Sequence, residues 1–144
     1  MQPTKLSGTI VDTLSQEVCK SIKKYFLIFA FIVVSIIAIL YGISPAWFAK
    51  TFLNVPAMSV DFAHILRAIM GLYLGLGLFW LFSAFNDRHR NTAVLTTAIF
   101  AGGLVCGRLT SLLADGWPSP ILVVYVATEF LLIPIAMWVF RLPE

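Results

Sequence analysis

Apolar residues along this chain fall into four long runs, and most of the charge is pushed into the short polar stretches between them. The first run, about 25–44, reads YFLIFAFIVVSIIAILYGIS; the second, about 65–85, ILRAIMGLYLGLGLFWLFSAF. The third, about 92–113, reads TAVLTTAIFAGGLVCGRLTSLL, and the fourth, about 119–140, SPILVVYVATEFLLIPIAMWVF. An α-helix needs about 20 mainly apolar residues to cross a hydrocarbon core of roughly 30 Å. Each run meets that length, and each is far longer than the roughly ten alternating residues of a membrane barrel strand. The pattern predicts an all-α polytopic membrane protein, a four-transmembrane-helix bundle occupying residues 25–144. The first run is too long for the apolar region of a signal peptide, and no small-x-small cleavage site follows it, so it reads as a retained helix.

Ahead of the first run, Leu6, Ile10, Leu14, Val18 and Ile22 recur four residues apart among polar neighbours. That is the spacing of a helix with one apolar stripe. Residues 1–24 are therefore expected to form an amphipathic cytoplasmic or interfacial segment, an anchor or helical extension, with partner docking as the other use of such a face. The longest connection is PAWFAKTFLNVPAMSVDFAH, residues 45–64. In it Trp47, Phe48 and Phe52 are spaced for one side of a short helix, suited to an interfacial anchor or a lid over the helix ends.

Composition agrees with a bilayer setting. Of 144 residues, 60% are hydrophobic and 12% charged, with a mean hydropathy of +0.93. That balance excludes a water-soluble domain. Lys20, Lys23 and Lys24 precede the first run, Arg88 and Arg90 lie between the second and third, and Arg141 follows the fourth. The positive-inside rule then puts both termini in the cytoplasm of a cell whose inner membrane holds the protein. Juxtamembrane lysines facing anionic headgroups account for the net charge of +3 without a nucleic-acid partner.

Small residues mark expected helix contacts. Gly71 and Gly75 form a G-x-x-x-G in the second run, and Gly103 and Gly107 another in the third. Such strips let backbones approach closely, either between these two helices of one chain or between two copies. Pro134 interrupts the fourth run and is expected to kink it. Ser119, just before Pro120, is placed to cap that helix. Cys19 and Cys106 sit at different depths, and neither has metal-site spacing with histidine and a second cysteine.

The candidate chemistry lies in charges at bilayer depth. Arg108 stands about five residues below the outer end of the third run, roughly 7–8 Å down, and Glu129 roughly 15 Å along the fourth, near the midplane. A charge at a helix centre costs roughly 2.5–3.5 kcal/mol on insertion scales, which argues against accident. Two readings stand: an ion pair of Glu129 with Arg108 or Arg67 that is only structural, or a polar pocket facing the outer leaflet. Asp61, His64, Arg67 and Asp115 lie at the same outer side, and Tyr73, Tyr125 and Thr128 could extend a pocket with hydroxyls. Of these Tyr125 is one turn from Glu129 on the same face, whereas Tyr73 is about 120° around its helix from Arg67.

Arg67 with Gly71 and Gly75, then AGGLVCGRLTSLLADGWPSP, then Glu129, resembles a bacterial family of small four-helix inner-membrane proteins known only as a domain of unknown function. The resemblance spans roughly residues 25–142, and its most specific part is G-R-x-x-S-x-x-x-D-G-x-P-S at 107–119. It implies four spans and a recurring Arg/Asp/Glu set, and supplies no activity. The expected function is binding of a lipid or small amphipathic ligand, with Arg67, Arg108, Glu129, Asp115, Tyr125, Tyr73, His64 and Asp61 as candidate site residues. An accessory subunit of a membrane complex and a small oligomeric transporter are the alternatives. Partners would be membrane lipids, a second copy or another membrane protein. No metalloprotease, hydrolase or phosphate-loop motif is present, so nothing points to an enzyme, a metal or a cofactor.

Overall fold

The computed structural model describes residues 4–143, with side chains from residue 13 onward. Its elements are α1 (Thr4–Gly42), α2 (Pro45–Phe52), α3 (Val60–Ala84), α4 (Asp87–Asp115) and α5 (Pro120–Phe140). Four of these helices are long and apolar enough to cross a membrane: α1 from Thr13, α3, α4 and α5. The all-α, four-span architecture read from the pattern is thus present, with α2 lying in the long connection.

The amphipathic segment and the first span are one continuous helix of 39 residues, with no break near residue 24. Leu6 and Ile10 have side chains outside the described ones. Further along the same stripe Leu14 and Val18 are exposed, and Ile22 packs against the core. From there the buried positions Leu27, Ala30, Val34, Ala38 and Tyr41 recur every three or four residues, the repeat of one helix face.

That face meets α3, where Leu66, Tyr73, Gly77, Trp80 and Ala84 are buried. α1 packs chiefly on α3, and α4 chiefly on α5, so the bundle consists of two helix pairs. Away from these seams the surface is apolar: Tyr25, Phe29, Ile36, Leu72, Ile99, Phe130 and Leu131 are each more than half exposed. Water would not tolerate so large a patch. Lipid tails do, because each helix satisfies its own backbone groups.

Glycine serves the α1–α3 seam, not the contact expected of it. A Cβ at Gly77 would stand 3.0 Å from Val34 Cγ1 and 3.2 Å from Phe31 Cδ2, and one at Gly42 would lie 2.6 Å from Met70 Cβ. Built at Gly71, Gly75, Gly103 or Gly107, a Cβ meets no atom within 4 Å. The expected intrachain packing of the two G-x-x-x-G strips is therefore corrected. Leu66, Ile69 and Tyr73 of α3 face Gly103 and Gly107 of α4 across an open cleft. Gly42→Ala is accordingly expected to lower the unfolding midpoint in detergent, an overpacking cost of about 1–3 kcal/mol. Gly71→Ala and Gly75→Ala should stay within about 0.5 kcal/mol of the parent.

Polar contacts tie the pairs together at the end that carries both termini. Lys23 is fully buried and donates through Nζ to Asn91 Oδ1 at 2.6 Å and to the Leu142 carbonyl at 2.7 Å. Its expected place among lipid headgroups is thus corrected: it stands on the buried stripe, four residues before Leu27. Arg90 is also buried, donating to the Ala84 carbonyl at 3.1 Å and pairing with Asp87 at 2.6 Å. Lys24 sits over the Phe85 ring, and Trp80 Nε1 donates to Thr96 Oγ1, joining α3 to α4.

At the opposite end Gly116, with φ of 90°, stops α4, and α5 begins at Pro120. Ser119 holds the N-cap position, but its hydroxyl makes no capping bond; its carbonyl accepts the N–H of Leu122 at 2.9 Å instead. That backbone bond takes the donor the hydroxyl was expected to serve.

Candidate functional site

Arg108 and Glu129 meet across the α4–α5 seam. Arg108 Nε donates to Glu129 Oε2 at 2.8 Å and Nη2 donates to Oε1 at 3.0 Å, a two-pronged pair. Their side chains are 20% and 15% exposed. The helices run in opposite directions, and the long arginine side chain closes the depth difference counted from the sequence. Fork-to-fork geometry satisfies both carboxylate oxygens with planar donors, the arrangement in which arginine binds carboxylate best.

Aromatic rings surround this pair. The Tyr125 ring lies 5.7 Å from the guanidinium carbon, within cation–π range. Tyr41, near the end of α1, is 6.3 Å from Tyr125, 6.1 Å from Tyr73 and 4.8 Å from Phe48 by ring centroids. Its phenol also interacts directly with the Arg108 guanidinium. Tyr73 in turn packs edge-on to Phe100 at 4.9 Å. Phe48 belongs to α2, so this short helix packs against the aromatic cluster.

Arg108 borders two cavities. The larger, about 330 Å³, opens between the helix pairs and is lined by Tyr41, Phe48, Leu66, Tyr73, Gly103 and Gly107 among others. The smaller, about 140 Å³, lies between α4 and α5 against Trp117 and Leu122. A volume of roughly 300 Å³ is the lower range of small-molecule sites. The larger cleft combines apolar walls with a few polar groups at one point, the usual form of such a site.

Other candidates stand elsewhere. Arg67 is exposed on α3, lines neither cavity and forms no ion pair among the described residues, so it is not the partner of Glu129. Asp61 lies in the first turn of α3, where a negative charge suits the helix dipole, and His64 is exposed one turn on. Asp115 accepts a hydrogen bond from Ser111 at 2.8 Å on the exposed end of α4. Thr128 turns its hydroxyl back to the carbonyls of Val124 and Tyr125. Of the eight candidates, the structure gathers Arg108, Glu129, Tyr125 and Tyr73 and leaves Arg67, Asp115, His64 and Asp61 apart. Tyr41 was missed. Its signal is its place on the repeating stripe Leu27, Ala30, Val34, Ala38, which carries a hydroxyl inward at the C-terminal end of the first run.

Among the described residues no three histidine, cysteine, aspartate or glutamate side chains cluster as metal ligands, and Cys19 and Cys106 are free thiols. Four spanning helices around a charge-paired, aromatic-lined cleft define a small polytopic membrane protein. The chain belongs to the family described as a domain of unknown function, DUF4345, whose model matches residues 22–140. That span holds Tyr41, Tyr73, Arg108, Tyr125 and Glu129 and begins within α1. No curated protein sequence and no solved structure matches the chain.

Proposed function

We propose that this protein binds a lipid or small amphipathic molecule in the cleft between its helix pairs, at the end of the bundle away from the termini. One observation carries the reading: Arg108, Tyr41 and Tyr73 converge on an otherwise apolar cleft of about 330 Å³. An ion pair that served only to join α4 and α5 would need no open volume beside it. The charge pattern supports an orientation with Lys20, Lys24, Arg88 and Arg141 in the cytoplasm, so that the cleft faces the outer leaflet of a bacterial inner membrane. In that orientation exposed Leu14 and Val18 extend the first helix along or through the cytoplasmic interface as an anchor.

Native mass spectra of the detergent-purified protein test the reading. The parent is expected to carry a discrete added mass that Arg108→Ala loses and Glu129→Gln holds more weakly. Ligand-free spectra of a folded parent would refute it. A second reading, an accessory subunit, draws on Gly71 and Gly75, which stand open on α3 where another helix could approach. The same spectra report subunit count, and Gly71→Leu would disrupt such an association without touching the cleft.

A further inference from the structure

Resting on that binding site, we infer the chemistry of its occupant: an uncharged lipid whose head presents a carbonyl oxygen, with its chain lying over Gly103 and Gly107. The cleft offers hydrogen-bond donors and no spare charge. Of the five guanidinium N–H groups of Arg108, Glu129 takes two, on Nε and Nη2, and the Tyr41 phenol at most one, which leaves two for a ligand. The Tyr73 hydroxyl makes no hydrogen bond among the described residues, although the residue is buried and borders the cleft. Donors in an open apolar cleft at bilayer depth call for an acceptor.

Charge decides between an anionic and a neutral acceptor. Arg108 is already neutralised by Glu129, so an anionic head would leave a net negative charge at bilayer depth, a costly arrangement unless another cation answers it. Arg67 and Lys50, the other basic residues toward this end, line neither cavity. A carbonyl oxygen accepts from the guanidinium and the phenol without adding charge. The chain path follows from the glycines. Gly103 and Gly107 border the same cleft one turn apart, with open space where side chains would stand. Leu66, Ile69 and Leu104 wall that channel, and a methylene chain there meets only apolar surface.

The test pairs two lipids with identical chains, dioleoylglycerol and dioleoylphosphatidic acid, titrated onto the full chain in detergent and read by native mass spectrometry. The diacylglycerol is expected to show about tenfold higher occupancy. Gly103→Leu should abolish that binding, and Gly71→Leu, which is equally open but outside the cleft, should not. Equal or stronger binding of the phosphatidic acid, lost in Gly103→Leu, overturns the neutral head and leaves the site standing. Binding of both lipids that ignores Gly103→Leu overturns the chain path. If neither lipid binds, a molecule retained from the membrane decides: an uncharged carbonyl lipid supports the inference, and an anionic lipid overturns it. If nothing is retained either, this inference and the binding reading fall together.

Discussion

Glu129→Ala lowers the stability of the detergent-solubilised protein by about 3 kcal/mol, the low end of what breaking one side of a buried pair costs. The loss has two parts. Two charge-assisted hydrogen bonds at 2.8 and 3.0 Å disappear, and Arg108 keeps its charge because a guanidinium does not deprotonate in proteins. The arginine then either stays uncompensated among the tyrosines or extends toward the nearer membrane surface, abandoning its place against Tyr125. Arg108→Ala loses the same bonds and leaves a carboxylate too short to reach the surface, which sheds its charge only by taking up a proton, so a loss of similar size is expected. The double variant Arg108→Leu/Glu129→Leu recovers most of the loss, since well-packed apolar residues in place of a buried pair are often neutral or stabilising. Unfolding midpoints of the parent, Arg108→Leu, Glu129→Leu and the double variant, compared as a double-mutant cycle, check this. Additive losses in the double variant would mean that the two side chains do not act as a pair.

The second large effect is at the other end of the bundle. Lys23→Met keeps most of the side-chain volume but removes the donor shared by Asn91 Oδ1 and the Leu142 carbonyl. Hydrogen bonds to a charged group contribute about 1.5–3 kcal/mol each, and the stranded acceptors are costly where water is scarce. A loss of about 2–4 kcal/mol is expected, with faster proteolysis at the C-terminal end because Leu142 is no longer held against α1. Lys24→Met, whose ammonium only lies over an exposed ring, should cost about 0.5–1 kcal/mol. Equal stability of the Lys23 and Lys24 variants would contradict a structural role for the buried lysine.

The four spans were legible because a bilayer imposes length and apolarity on every helix that crosses it, and the fourth, read as about 119–140, matches α5 to within a residue. Depth along two antiparallel helices can be counted from helical rise alone, which narrows the partner of Glu129 to Arg108 or Arg67 without choosing between them. What could not be counted was rotation about each helix axis. In a bilayer the face toward lipid is as apolar as the face toward protein, so hydrophobic periodicity scarcely distinguishes them. Depth therefore groups Arg67 with Arg108 although it points away, and gives no sign that Tyr41 points in. The glycines misled for a related reason. A G-x-x-x-G permits close approach without requiring it, and Gly42 and Gly77, outside such a motif's expected partners, are the ones crowded by Met70, Val34 and Phe31. Positive charge near a span usually marks a headgroup contact, whereas the partners of Lys23, Asn91 and Leu142, are 68 and 119 residues away. Such partners follow from the fold alone.

The measurement that bears most directly on the cleft as a binding site is ligand retention by the Arg108→Leu/Glu129→Leu double variant, recorded by native mass spectrometry beside the parent. This variant separates the two roles of the pair, because it keeps α4 and α5 packed while removing every charged donor from the cleft. A parent that carries a bound molecule, next to a folded double variant that carries none, is the expected result. The same molecule bound equally by both proteins would contradict the account and reduce the ion pair to a link between helices.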